Sequence, residues 1–217
     1  MLKGANTANN GATLYYIHDP MCSWCWAFRP VWSELKATLP DNVSVMNRLG
    51  GLAPDTNEPM PEKLQHFLQN TWQKIEMTVP NTKFNFDFWT KCQPRRSTYP
   101  ACRAVIAARQ QGLQFEEPMI LAIQQAYYQQ AQNPSDDETL VTLAKEIGLE
   151  SSQFRQQLHA AETQQQLEQE MDFNRHINAK SFPSLVLQFN GAFQPIKIDY
   201  LNAQTMLTQI QSILSHG

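Results

Sequence analysis

Charge is scarce in this chain. Asp, Glu, Lys and Arg make up 17% of its 217 residues, below the quarter usual in globular domains, and glutamine supplies much of the polar surface instead. There is no run of Lys or Arg, and the formal net charge is −3. A nucleic-acid footprint and a polybasic membrane patch are therefore excluded. No apolar stretch approaches the length that spans a bilayer. The opening segment, Met1 to Asn10, lacks the apolar core of a secretory leader, so the expected compartment is the cytoplasm. Cysteine is also sparse, at four residues, which excludes a disulfide-stapled scaffold. No internal repeat and no Gly-, Ser- or Pro-rich linker divides the chain. Its length suits one large domain, or a domain carrying an insertion.

Two of the four cysteines stand together in Cys22-Ser23-Trp24-Cys25. In a reducing compartment such a pair is catalytic or metal-binding rather than a structural staple. The apolar run Leu14 to Ile17 before it reads as a buried strand, and Cys22 to Leu39 reads as a helix. A thiol at a strand-to-helix junction meets the positive end of the helix dipole, which favours the reactive thiolate. Two registers are open: Asp19 as N-cap with Pro20 at the first helical position, or a helix that starts at Cys22. In both, Cys22 is the exchanging sulfur, and Cys25, one turn deeper, resolves the mixed disulfide. Ser23 and Trp24 tune the site and, with Phe182 and His18, are candidate substrate contacts; His18 either assists a thiolate or is a loop histidine with no chemical part.

The first fifty residues read as a βαβ unit, with a second strand at Val43 to Met46 ended by Gly50-Gly51. Near the other end, Leu185 to Phe189 is a strand. Asn190-Gly191 is a hairpin turn, and the return strand runs through Ile196 to Ile198. A helix from Asn202 to Leu214 follows. Between these halves the signals are mostly helical. Pro61 and Pro100 fit first turns, Gly112 fits a stop, and Pro118 precedes a helix from Met119 to Gln130. Ser135 to Glu138 reads as a capping box, Ser151 or Ser152 as a cap, and Glu162 to Asn178 as a last helix. Phe84, Phe86 and Phe88 read as a loop that packs its rings inward. Phe182-Pro183, just before a strand, marks the start of that strand or a cis peptide.

Together these residues resemble the thioredoxin superfamily, and within it the DsbA-like branch with a helical insertion. The resemblance rests on the strand Leu14 to Ile17, the turn Asp19 to Trp26, Phe182-Pro183, the final ββα, and Ala101 to Val105 in the inserted part. Asp-Pro ahead of Cys-x-Trp-Cys is similar to the cytosolic FrnE-type proteins and predicted protein disulfide isomerases. The implied fold is α/β: a thioredoxin-like domain from residues 1–55 and 180–217, with an all-helical insertion over 56–179. The resemblance implies that Cys22 is the nucleophile, Cys25 the resolving cysteine and Pro183 a cis-proline facing the pair. It implies that Phe182 offers backbone groups to an extended substrate peptide. The chain departs from the periplasmic oxidases in having Ser-Trp between its cysteines.

The expected function is thiol–disulfide exchange with protein or low-molecular-weight thiols, with glutathione as a candidate redox partner and no organic cofactor. One alternative is a glutathione-dependent isomerase or transferase of the kappa-class or 2-hydroxychromene-2-carboxylate isomerase type. Another is a non-enzymatic peptide-binding or zinc-binding module. Cys92 and Cys102 read as reduced core cysteines, with a second disulfide as the sharper alternative. Arg95 and Arg96 are candidates for an anion such as a glutathione carboxylate, against a default of solvated charge. Asp19 fits a turn-shaping role better than that of a base, and His176 a packed or surface one.

Overall fold

The computed structural model describes residues 11–216. The segment on which the leader argument rests lies outside them. Strand β1 (Ala12–His18) is buried along most of its length and holds the centre of the sheet with β3 (Ser184–Phe189). Helix α1 (Ser23–Thr38) crosses to β2 (Val43–Leu49), which pairs parallel to β1 from Ala12 opposite Val43 to His18 opposite Leu49. Strand β3 pairs antiparallel to β1, and β4 (Ala192–Ile196) antiparallel to β3, so the sheet order is β2-β1-β3-β4. Asn190 and Gly191 both take positive φ, 48° and 79°, as a tight hairpin turn requires. The C-terminal helix (Ala203–His216) covers one face of the sheet together with α1.

Two strands differ from their sequence reading. Strand β2 runs to Leu49, because its pairing with β1 carries through polar Asn47 and Arg48. Strand β4 stops at Ile196, not Ile198. Lys197 leaves the ladder because Gln209 of the last helix takes its backbone: Lys197 N donates to Gln209 Oε1 at 2.9 Å, and Gln209 Nε2 donates to Lys197 O at 3.0 Å.

The helices between β2 and β3 are α2 (Glu62–Thr78), the short α3 (Phe88–Lys91), α4 (Tyr99–Gln111), α5 (Glu116–Tyr128), α6 (Asp137–Glu146), α7 (Ser151–Leu158) and α8 (Ala161–His176). The last helix, Ala203–His216, is then α9. Several caps differ from expectation. Pro61 is the N-cap of α2 rather than a first-turn residue. Helix α5 starts two residues ahead of Pro118 and ends at Tyr128. The capping box at Ser135 does not form: Ser135 Oγ donates to Ser97 O at 2.6 Å, and Asp136 is the N-cap. Glu150, not a serine, caps α7, accepting from Ser152 N and Gln153 N. Helix α8 ends at His176, and Asn178 adopts φ 61° beyond it.

Three apolar clusters hold the molecule. One lies between the sheet and helices α1 and α9, built on Leu14, Phe28, Trp32, Leu187 and Ile210. A second packs Tyr15, Ile17 and Val186 against Ile177 and Phe173 at the end of α8. The largest fills the helical part and reaches Met21, Ala27 and Leu49. Its hub is Trp72, 1% exposed, stacked on Phe84 at 4.9 Å and met edge-on by Phe86 at 5.7 Å. The aromatic segment is thus an inward-packing loop that runs into α3.

Helix α8 grips the end of β2 by side chains. Glu170 Oε2 accepts from Leu49 N at 2.6 Å, and Asn174 Nδ2 donates to Leu49 O at 2.9 Å. Glu170 also pairs with Arg109 of α4. Removing a partner from a buried ionic cluster strands the charge left behind. Glu170→Ala is therefore expected to lower unfolding stability by about 3 kcal/mol, read as a urea midpoint. Glu170→Gln, which keeps an acceptor for Leu49 N, should lose less.

Candidate functional site

The turn from β1 to α1 is built on Asp19, which is fully buried. Its backbone carbonyl accepts from Cys22 N at 3.0 Å. Its carboxylate accepts from Met21 N at 2.8 Å, Leu52 N at 2.8 Å and Thr98 Oγ1 at 2.7 Å, with Cys102 Sγ at 3.5 Å. Burial pushes its pKa up from the ordinary carboxylate value, and the donors from Leu52, Thr98 and Met21 pull the other way. Asp19 is therefore not the helix N-cap. Cys22 holds that position, at φ −87° and ψ 115°, and no side chain caps the helix there. Cys22 therefore stands at the positive end of α1.

The two thiols differ in access. Both are buried, but Cys22, at 6% exposed, lines a cavity of about 700 Å³, whereas Cys25 is 0% exposed. Burial pushes the Cys25 thiol well above its ordinary pKa, and its hydrogen bond with Cys22 adds to the effect. Tyr16, fully enclosed and next to Cys25, is raised as well, first by burial. Cys22 Sγ donates to Phe182 O at 3.5 Å. The Phe182-Pro183 peptide is cis. Pro183 itself is buried, and the carbonyl before it, that of Phe182, is the group that accepts from the thiol. The Phe182 ring sits on Gly50, where a Cβ would overlap it.

Ser23, Trp24 and Phe182 line the cavity. His18 does not. It is fully buried, stacked on Tyr16 at 4.7 Å and 9°, and burial lowers its pKa to about 4. A neutral, enclosed imidazole cannot touch a substrate, which corrects the expectation for His18. The arginine pair also divides. Arg95 is engaged with Ser135 O and Asp136, while Arg96 lines the cavity. Cys92 and Cys102 are free thiols, Cys92 Sγ donating to Ala131 O at 3.0 Å. Among the described residues no three His, Cys, Asp or Glu side chains converge as a metal site, so the zinc reading has no ligand set. His176 meets Phe193 edge-on at 6.4 Å. Phe67, Lys74 and Lys180 also line the cavity, and Thr98 holds Asp19. None of these four was marked by a local motif.

A four-stranded mixed sheet, a Cys-x-x-Cys at the first helix N-terminus and a cis-proline beside it define a thioredoxin fold with helices inserted between β2 and β3. The chain belongs to the Thioredoxin_5 family, described as thioredoxin, whose profile matches residues 15–208. It is similar to a candidate protein disulfide isomerase from Nitrosomonas europaea, with 25% identity and a TM-score of 0.82 over 95% of this chain and 100% of that one. It shares its fold with the cytosolic disulfide reductase DsbM from Pseudomonas aeruginosa, with 21% identity and a TM-score of 0.73 over 94% and 100%. The ClpXP adapter protein SpxH of Halalkalibacterium halodurans is 24% identical over 177 residues, 80% of this chain and 57% of that protein. The chain spans little more than half the length of that relative. Among the described residues no helix is long and apolar enough to cross a membrane.

Two measurements follow from this geometry. Iodoacetamide at neutral pH should modify Cys22 first in the folded protein, with Cys25 and Cys102 modified only after unfolding, as read by peptide mass mapping. His18 has a folded pKa below its ordinary 6.5. Its stabilising contribution is therefore complete above pH 6.5 and lost as pH falls through about 4, a change of about 3 kcal/mol. His18→Phe keeps the ring stack and should flatten that part of the stability profile between pH 7 and 4.5.

Proposed function

We propose that this protein is a thiol–disulfide oxidoreductase working through Cys22 and Cys25. The observation that carries the reading is the inequality of the two sulfurs. Cys22 caps α1 at the cavity wall against the Phe182 carbonyl, and Cys25 is enclosed with its thiol held protonated. In the reducing direction the Cys22 thiolate attacks a substrate disulfide. One S–S bond forms, the substrate S–S bond breaks, and one substrate thiolate leaves. Cys25 then gives up its proton and attacks Cys22 Sγ. The second substrate thiolate leaves, and two electrons have passed from the pair to the substrate. The opposite direction is the same sequence reversed. The Phe182 carbonyl offers an acceptor to the backbone of an incoming peptide once Cys22 is engaged.

Recycling needs a second thiol pool. Glutathione fits by chemistry, and DsbM of Pseudomonas aeruginosa is also solved with GSH. A second reading is favoured by the curated relatives, which are ClpXP adapter proteins: the same cleft would hold a client without exchanging electrons. The cysteines separate the readings. Cys22→Ser should lower dithiol-dependent insulin reduction to the rate without enzyme. Cys25→Ser should accumulate a mixed disulfide on Cys22, seen by intact mass. Full activity of Cys22→Ser would overturn the exchange reading. Client capture indifferent to both cysteines would favour the adapter. Glutathione-dependent turnover surviving Cys25→Ser would favour the isomerase or transferase alternative.

A further inference from the structure

We propose that the cleft beside Cys22 selects a protein segment whose reacting cysteine has acidic and apolar neighbours, an inference that rests on the thiol–disulfide reading. The first ground is charge. The cavity is lined by Lys74, Arg96 and Lys180 and by no Asp or Glu. None of these cations belongs to an ion pair among the described residues; the paired ones are Lys36, Lys91, Arg95, Arg103, Arg109, Arg155, His159 and Arg175. The chain as a whole is acidic, with net charge −3. Positive potential is thus concentrated at the reacting sulfur in a molecule of the opposite sign, the arrangement that steers an anionic partner.

The second ground is the apolar wall. Helix α2 presents Phe67, Thr71 and Lys74 to the cavity at i, i+4 and i+7, one face of the helix. Phe67 is 63% exposed, an unusual state for a phenylalanine beside a reactive site, and Leu68 and Trp24 extend the same surface. From Phe67 to Lys74 the wall runs about 10 Å, the span of about three residues of extended chain. Exposed Lys180 and Ser181 also line the cavity and lead to Phe182. A small thiol bearing only carboxylates would use the cations and leave Phe67 idle. A segment with an acidic residue on one side of its cysteine and an aliphatic residue on the other uses both.

The test compares reduction of disulfide-linked peptides by the dithiol form of the full chain. In one peptide Asp and Leu flank the cysteine, in a second Lys and Leu, and in a third Asp and Gly. Oxidised glutathione and the neutral hydroxyethyl disulfide complete the set. The Asp–Leu peptide should show a kcat/KM about tenfold above the Lys–Leu peptide at low salt, with the gap closing at high salt. In the Lys74→Gln, Arg96→Gln, Lys180→Gln triple variant that preference should fall to about twofold, with the unfolding midpoint serving as the fold control. Phe67→Ser should remove the advantage of Asp–Leu over Asp–Gly and leave the acidic preference in place. Reduction of hydroxyethyl disulfide with no preference among the peptides would overturn this proposal and leave the exchange reading standing. Glutathione disulfide reacting as well as Asp–Leu, with Phe67→Ser silent, would overturn it in favour of a small anionic thiol. Failure to reduce any disulfide would remove both.

Discussion

A single buried carboxylate holds the reactive end of this molecule in register. Asp19 receives an amide from its own turn at Met21, an amide from the chain leaving β2 at Leu52, and a hydroxyl from the start of α4 at Thr98. Enclosing an ionised carboxylate costs several kcal/mol, and each charge-assisted hydrogen bond returns about 1.5–3 kcal/mol. Satisfying the group therefore requires all of its donors at once. That requirement fixes the position of Cys22, whose amide bonds to the Asp19 carbonyl. The sheet and the helical part are joined at this point by polar geometry, on top of the apolar packing that spans Met21, Ala27 and the helices.

One helical turn then makes two chemically identical thiols unequal. Cys22 borders the cavity at the N-cap of α1, and Cys25 faces Tyr16 and the core. Desolvation acts on the inner sulfur, which disfavours its charged form. In the proposed exchange, the order of events would follow from this difference: the sulfur at the cavity meets the partner, and the enclosed one acts once its neighbour is bonded. The cavity itself is assembled from distant chain segments, among them α2 and the approach to β3.

The strands at both ends of the chain, the Asn190-Gly191 hairpin, the helix after Cys22 and the inward aromatic loop were legible in the sequence. Each is a local pattern of apolar runs, turn residues or Cys-x-x-Cys spacing. The caps were less legible. Ser135 and Ser151 have good capping chemistry, yet Ser135 is drawn to Ser97 and Glu150 reaches the α7 amides first. His18 read as a thiolate helper or an inert loop residue because of its place in sequence beside the cysteines. Tertiary packing encloses it. Thr98, Phe67, Lys74 and Lys180 carried no signal, since their roles exist only once remote segments meet.

The seat of the Phe182 ring on Gly50 has a consequence for how such a chain tolerates sequence drift. Gly50 lies at the exit of β2 and contributes no atom to exchange, but any side chain there must displace the ring whose carbonyl accepts from Cys22. Empty space at position 50 is thus what seats the carbonyl against the sulfur, and a methyl there would move both.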